Sequence, residues 1–299
     1  MNHRRPPRVL WRTALPLLGC CACVSTGGVA ARGHYQTPER PAAPEPAPLL
    51  VSAHLSRFGV EPAPMSETGA ARMVEGSEAS EDRLVLVFAH ELDPTTIDPR
   101  ALAILRADGR RVRPTRAFLA PADEGDENRS LTLTGNFGSE GATPVAVHVI
   151  GRLYAETGED LQGLDADISG PSEPDRPVVV EQLEPGPRRC PDARGVVRSY
   201  WTDTLTGVGD DDLAGIELRL ADGRTLAPSG FDDQAQREGE GEGEALDAGR
   251  ADDNVLDLCV DADVAVVHVR FAAGLFADPG GVPSAAADVD LSPNPGPVP

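Results

Sequence analysis

A chain of 299 residues has room for about two domains once targeting and linking segments are set aside. With 31 Gly and 28 Pro against 4% aromatic residues, it is supplied for turns and short strands rather than for long helices. The formal charge is −21 and all 27 basic residues are Arg, which argues against a nucleic-acid partner and rules out Walker-A loops, Schiff-base lysines and Ser-x-x-Lys nucleophiles.

Residues 1–19, MNHRRPPRVLWRTALPLLG, place Arg4, Arg5, Arg8 and Arg12 ahead of a short apolar stretch and read as a targeting segment. The stretch LLGC, Leu17 to Cys20, resembles the lipobox of bacterial lipoproteins, which implies cleavage before Cys20 after its thiol has been lipidated. Pro16 interrupts the apolar core, and an ordinary cleaved secretory signal or a fortuitous tail stand as alternatives. Loss of the four arginines takes the formal charge from −21 to −25. Residues 20–47 are rich in Pro, Ala and Gly without a sustained period and read as a disordered tether, whose stretch of about 25 residues from Val24 to Pro48 reaches at most about 75 Å when extended. No later run approaches the roughly 18 apolar residues of a spanning helix, so the sequence predicts a chain attached to a membrane, not one crossing it.

The first folded unit is expected over 48–172. PLLVSAHL (48–55) opens it, and the apolar run RLVLVFAH (83–90) is short enough to be a buried strand. In ALAILRADGRRVRPT (101–115), Leu102 and Ile104 share a face and Asp108-Gly109 supplies the corner of a hairpin. SLTLT (130–134) alternates strictly, with Leu131 and Leu133 inward, and PVAVHVIGRLY (144–154) puts Val145, Val147 and Val149 on one face. This spacing predicts a β-sandwich.

A second unit is expected over 176–283, because the same landmarks return in order. PVVVEQL (177–183) opens it, VVRSYW (196–201) stands in the place of RLVLVF, and IELRLADGRTLAP (216–228) repeats the hairpin with Ile216, Leu218 and Leu220 on one face. NVLDLCV (254–260) and VAVVHVRFAAGLFADPGG (264–281) follow, and Leu275-Phe276-Ala277 repeats Leu153-Tyr154-Ala155. The sequence therefore predicts two tandem copies of one all-β domain. The acidic insertion 236–250, QREGEGEGEALDAGR, and the tail 284–299 are expected to be disordered.

The first copy resembles the SbsA-type bacterial Ig-like domain over roughly residues 48–170. The likeness is carried by LVLVFAHELDPTTIDPRALAIL (84–105) and VAVHVIGRLYAETGEDLQG (145–163). The second copy departs from it where LTGVGDDDLAG (205–215) replaces the Leu-Asp-Pro stretch. The resemblance implies two Ig-like sandwiches and a role in adhesion, spacing or surface assembly, and it transfers no catalytic residue.

Cys190 and Cys259 are the only cysteines outside the N-terminal cluster, and an exported chain meets oxidising conditions. A disulfide tying the lead-in of one strand across the sandwich is expected, with two separately buried thiols as the alternative. Asp210, Asp211 and Asp212, Asp232 and Asp233, and Asp252 and Asp253 before Asn254 are candidate calcium ligands, since calcium takes about six to eight oxygens. They show no EF-hand or nonapeptide spacing, and in so acidic a chain solvated loop carboxylates are the simpler account. His148 and His268 fall on matching strands, out of phase with the inward valines, and read as solvent-facing. His90-Glu91 lacks the second histidine of a zinc-protease helix. Trp201 and Tyr200 read as core and core-edge residues, with a carbohydrate platform as the alternative.

These residues predict a non-catalytic, lipid-anchored protein of the cell envelope, placed at the outer membrane. Its two sandwiches would act as a spacer or adhesion module for an envelope protein or polysaccharide. A calcium-dependent binding module is the alternative, and a secreted hydrolase is the reading with least behind it.

Overall fold

Aliphatic side chains at every second position, broken by Asp-Gly and Pro corners, direct this chain into short strands. The computed structural model describes residues 49–57, 81–122, 127–138, 141–186, 189–232 and 254–291. The signal segment with Cys20, the tether, the acidic insertion 236–250, and Asp233, Asp252 and Asp253 lie outside them. The first eight strands are β1 (Leu50–Arg57), β2 (Asp82–Phe88), β3 (Leu102–Arg106), β4 (Arg111–Val112), β5 (Arg116–Leu119), β6 (Ser130–Gly135), β7 (Pro144–Val149) and β8 (Asp165–Ser169). The next eight are β9 (Pro177–Leu183), β10 (Gly195–Trp201), β11 (Ile216–Leu220), β12 (Thr225–Leu226), β13 (Gly230–Asp232), β14 (Val255–Val260), β15 (Val266–Phe271) and β16 (Ala287–Asp290). Three short 3-10 turns are the only helical elements described. The fold is all-β.

The strand order of the first half is repeated in the second. In the first, β4-β3-β7-β8-β1-β2-β6-β5 form one eight-stranded sheet, antiparallel throughout except where β1 lies parallel to β8. In the second, the same order appears as two four-stranded sheets, β12-β11-β15-β16 and β9-β10-β14-β13. The likeness extends to register: Ile104 pairs with Val147 and Leu218 with Val269, and both ladders slip one residue beyond, at Arg106 and at Leu220. That slip is a β-bulge, and it overturns one expectation. Two residues face one partner there, so Val145 turns outward and is 36% exposed while Val147 and Val149 stay buried.

Each half encloses its own core. Leu84, Leu86, Leu131 and Leu133 meet Leu102, Ile104, Val147 and Val149 in the first. Val197, Trp201, Leu256 and Leu258 meet Ile216, Leu218, Val269 and Phe271 in the second, where Trp201 packs edge-on against Phe271 and Phe276 at 5.1 and 5.4 Å. Both halves lie in one compact unit, Pro46–Pro299, and a third small cluster of Val87, Ala122, Tyr200 and Val255 joins them.

The expected tail begins later than the sequence suggests. Residues 287–290 pair with β15, and Leu291 is buried in the second core, so the segment 284–291 is ordered by hydrogen bonds and one aliphatic anchor. Residues 292–299 lie outside the described part.

Candidate functional site

The outward faces of the strands should be wet if the halves were separate. Instead β10 is buried at every position and β6 likewise, Ser130 and Thr132 included. The reason is the second half itself. Outward residues of β1, β2 and β6 (Ser56, Arg83, Val87, Ser130) meet those of β10 and β14 and the turns beside them, and the shared surface is largely polar. Buried polar groups persist only where they are paired or where a proton removes their charge.

One end of this junction is an ion network. Arg198 is almost completely enclosed and binds Asp257 through two hydrogen bonds of 2.8 Å, while Glu127 from the first half approaches it at 2.6 Å. Arg189 closes on the same Asp257 at 2.7 Å. Burial works against the Arg198 charge, but hydrogen bonding to Asp257 and the field of Glu127 raise its pKa above the ordinary guanidinium value. Beside it, Arg129 pairs with Glu181 at 2.7 Å and lies 5.3 Å above the Tyr200 ring. Burial pushes the Tyr200 phenol's pKa up, and its hydroxyl has no hydrogen-bond partner among the described residues. Asn254 donates to Trp201 O at 2.9 Å and accepts from Ser130 at 3.0 Å, stitching β6 to the second half.

The other end holds acids. Asp203 is fully buried; Ser56 donates to its Oδ2 and Arg83 stands 3.7 Å from its Oδ1, while Arg83 also donates to Thr204 at 2.9 Å. Asp175, 1% exposed, accepts from Thr202 at 2.7 Å through Oδ1, and its Oδ2 has no partner among the described residues. Asp278, 3% exposed, accepts the Val282 amide at 2.7 Å. His54, 1% exposed, faces this group from β1. Ser169 Oγ lies 2.8 Å from His54 Nδ1 and donates to Ala53 O at 3.2 Å, and His54 Nε2 has no hydrogen-bond partner among the described residues. Burial lowers the His54 pKa despite the nearby charges of Asp203 and Asp278. Burial and the charge of Asp203 push that of Asp175 up to about 7.

The residues singled out from sequence fare unevenly. Cys190 and Cys259 form a disulfide with Cα atoms 5.4 Å apart. The bridge does not cross the sandwich: with period 2, Val255, Asp257 and Cys259 lie opposite the core-facing Leu256, Leu258 and Val260, so it pins the lead-in of β10 to the outer face of β14. Trp201 is in the second core, and Tyr200 is in the cluster between the halves. Asp210, Asp211 and Asp212 begin a 3-10 turn, where Asp212 caps the Gly209 amide at 2.9 Å and the other two are exposed. Asp232 ends β13. Among the described residues no three His, Cys, Asp or Glu side chains converge as metal ligands would. His148 and His268 share matching strands but not matching positions: His148 pairs with Ala103, whose counterpart Glu217 pairs with Arg270. His268 sits between Asp290 at 2.8 Å and Asp288 at 3.2 Å on the outer side of β15. His90 is exposed beside Glu159.

Sequence reading missed the junction altogether. The signal was present as single charges inside apolar runs, Arg198 in VVRSYW and Asp257 in NVLDLCV, since a charge at a strand's centre needs either solvent or a partner. No family model matches the chain, and no curated protein matches it.

Proposed function

We propose that this chain is a non-catalytic lipoprotein of the cell envelope, anchored through Cys20. Its two Ig-like β-sandwiches, 48–172 and 176 onward, present a binding surface that the tether holds within reach of the membrane. The observation that carries the reading is the second half's repetition of the first half's strand order and bulge, behind a segment with lipobox spacing. Repeated β-modules behind a Pro-rich tether suit spacing and adhesion, and the resemblance of 48–170 to SbsA-type domains supports the same assignment. The buried polar junction adds rigidity, because opening it exposes paired charges and an apolar cluster together.

The outer membrane is the expected address, with an envelope protein or polysaccharide as the ligand class. Mass spectrometry of the mature N-terminus tests the anchor. Cleavage before Cys20 with a thioether-linked lipid on its sulfur is the expected result, and an unmodified Cys20 behind an intact leader refutes it. Crosslinking in intact envelopes with the wild-type chain and with a variant whose tether is shortened tests the spacing role, for which the crosslinked partner must change or vanish with tether length.

A further inference from the structure

The acid end of the junction holds more negative charge than its surroundings neutralise. Asp175, Asp203 and Asp278 are each at most 3% exposed, and only Arg83 among the described cations approaches them within an ion pair, at 3.7 Å from Asp203. Three enclosed carboxylates facing one guanidinium do not all remain ionised; one of them holds a proton. The counter-charge identifies which. Asp203 and Asp175 each accept one hydroxyl, from Ser56 and Thr202, and each leaves its other oxygen without a hydrogen bond among the described residues, but Asp203 has Arg83 3.7 Å from that oxygen and Asp278 accepts the Val282 amide, whereas Asp175 has no cation at ion-pair distance among the described residues. A neutral carboxyl tolerates that position, whereas a carboxylate there lacks both solvent and a counter-charge.

The location gives the proton a consequence. Asp175 lies on the connection between β8 and β9, and its carbonyl accepts the Ala285 amide. Thr202, which donates to Asp175, precedes Asp203, the residue that Ser56 and Arg83 of the first half grip. Charge on Asp175 therefore acts on the contact that joins the halves. We propose that this junction is a proton-operated clasp: a proton on Asp175 keeps the two halves closed on one another, and its loss loosens them.

The charged and titratable groups around Asp175 are Asp203 from the turn after β10, Asp278 from the loop before β16, Arg83 from β2, His54 from β1, and Glu173 and Arg176 on its own segment. Their directions agree with the clasp. Asp175, raised from 3.8 to about 7, contributes stability that is present below its unfolded value and is lost as pH rises through about 7. His54, lowered from 6.5, works in the opposite sense and withdraws stability as pH falls below that value. Removing either group should uncover the other.

Thermal unfolding of the full chain at closely spaced values from pH 5 to pH 9 tests this, with Asp175→Asn as the variant, because an amide keeps the Thr202 contact and cannot ionise. The gap between Asp175→Asn and wild type should widen in the variant's favour by about 5 °C between pH 5.5 and pH 8.5, and the scattering radius of the wild type, not of the variant, should grow over the same interval. A gap that stays constant with pH overturns the proposal, as does a growing radius in both proteins. Asp203→Asn supplies a second arm: it removes the neighbouring negative charge that holds the Asp175 pKa up, so the transition should move to lower pH than in the wild type, and an unmoved transition also overturns the clasp.

Discussion

The two halves share a strand order and differ in how their sheets are joined. In the first, the parallel contact of β1 with β8, Ala53 opposite Ile168 and His54 opposite Ser169, makes the whole half one hydrogen-bonded sheet. Among the described residues the second has no such contact; its two sheets meet through side chains, with Trp201 against Phe271 and Phe276 and with Gln182 accepting the Val266 amide at 3.0 Å. It also carries the disulfide and the ion pairs of Arg198 and Arg189 with Asp257. Backbone pairing is insensitive to side-chain identity, so the first half should tolerate substitutions that the second does not. One topology can thus be held by main chain or by side chain, and only the latter depends on particular residues.

The largest effect should come from Arg198→Met, which leaves Asp257 and Glu127 enclosed without their shared cation and should lower unfolding stability by about 3–5 kcal/mol in urea titration. A loss confined to the second half, with unchanged hydrogen-exchange protection at 84–88 and 131–133, would show that the halves fold independently. Cooperative loss in both would show that the junction couples them. Replacing Cys190 and Cys259 by Ser opens a 69-residue separation and should remove about 4 kcal/mol in the chain-entropy account, read as lost protection at 195–201 and 255–260.

Three glycine substitutions sharpen the comparison. Gly215 lies where the first half has Ala101, and a Cβ there would overlap Leu275, so Gly215→Ala should cost about 1–3 kcal/mol by thermal denaturation while Ala101 already fills the corresponding space. The hairpin corners provide the control. Gly109 and Gly223 have φ of +80° and +86°, and alanine at either should cost about 1 kcal/mol, equally in both halves. Unequal costs would mean that the two hairpins are not equivalent.

Much of this fold was legible in the sequence because a strand's period is local. Leu102 and Ile104, or Ile216, Leu218 and Leu220, announce their inward faces without reference to the rest of the chain. Val145 was misread because a bulge shifts the period by one residue without changing composition. The junction was illegible for a related reason. Ser130 and Thr132 look like ordinary solvent-side residues, and only the placement of one half on the other, fixed by contacts more than a hundred residues apart such as Ser130 with Asn254, makes polar positions interior. The continuous apolar run LVLVF hinted at burial on both faces, but nothing local identified its cover.

The parallel contact between β1 and β8 bears on the order in which the chain acquires structure. A ribosome delivers residue 54 long before residue 169, so one edge of β1 stays open while more than a hundred residues emerge. Hairpins such as β3–β4 close as soon as they appear, whereas the N-terminal strand waits for the last strand of its own half, and the neighbouring β2 then receives Tyr200 of β10 and Val255 of β14 on its outer side. A chain built this way remains threadable until its C-terminal portion arrives, and its final rigidity is a late event of synthesis.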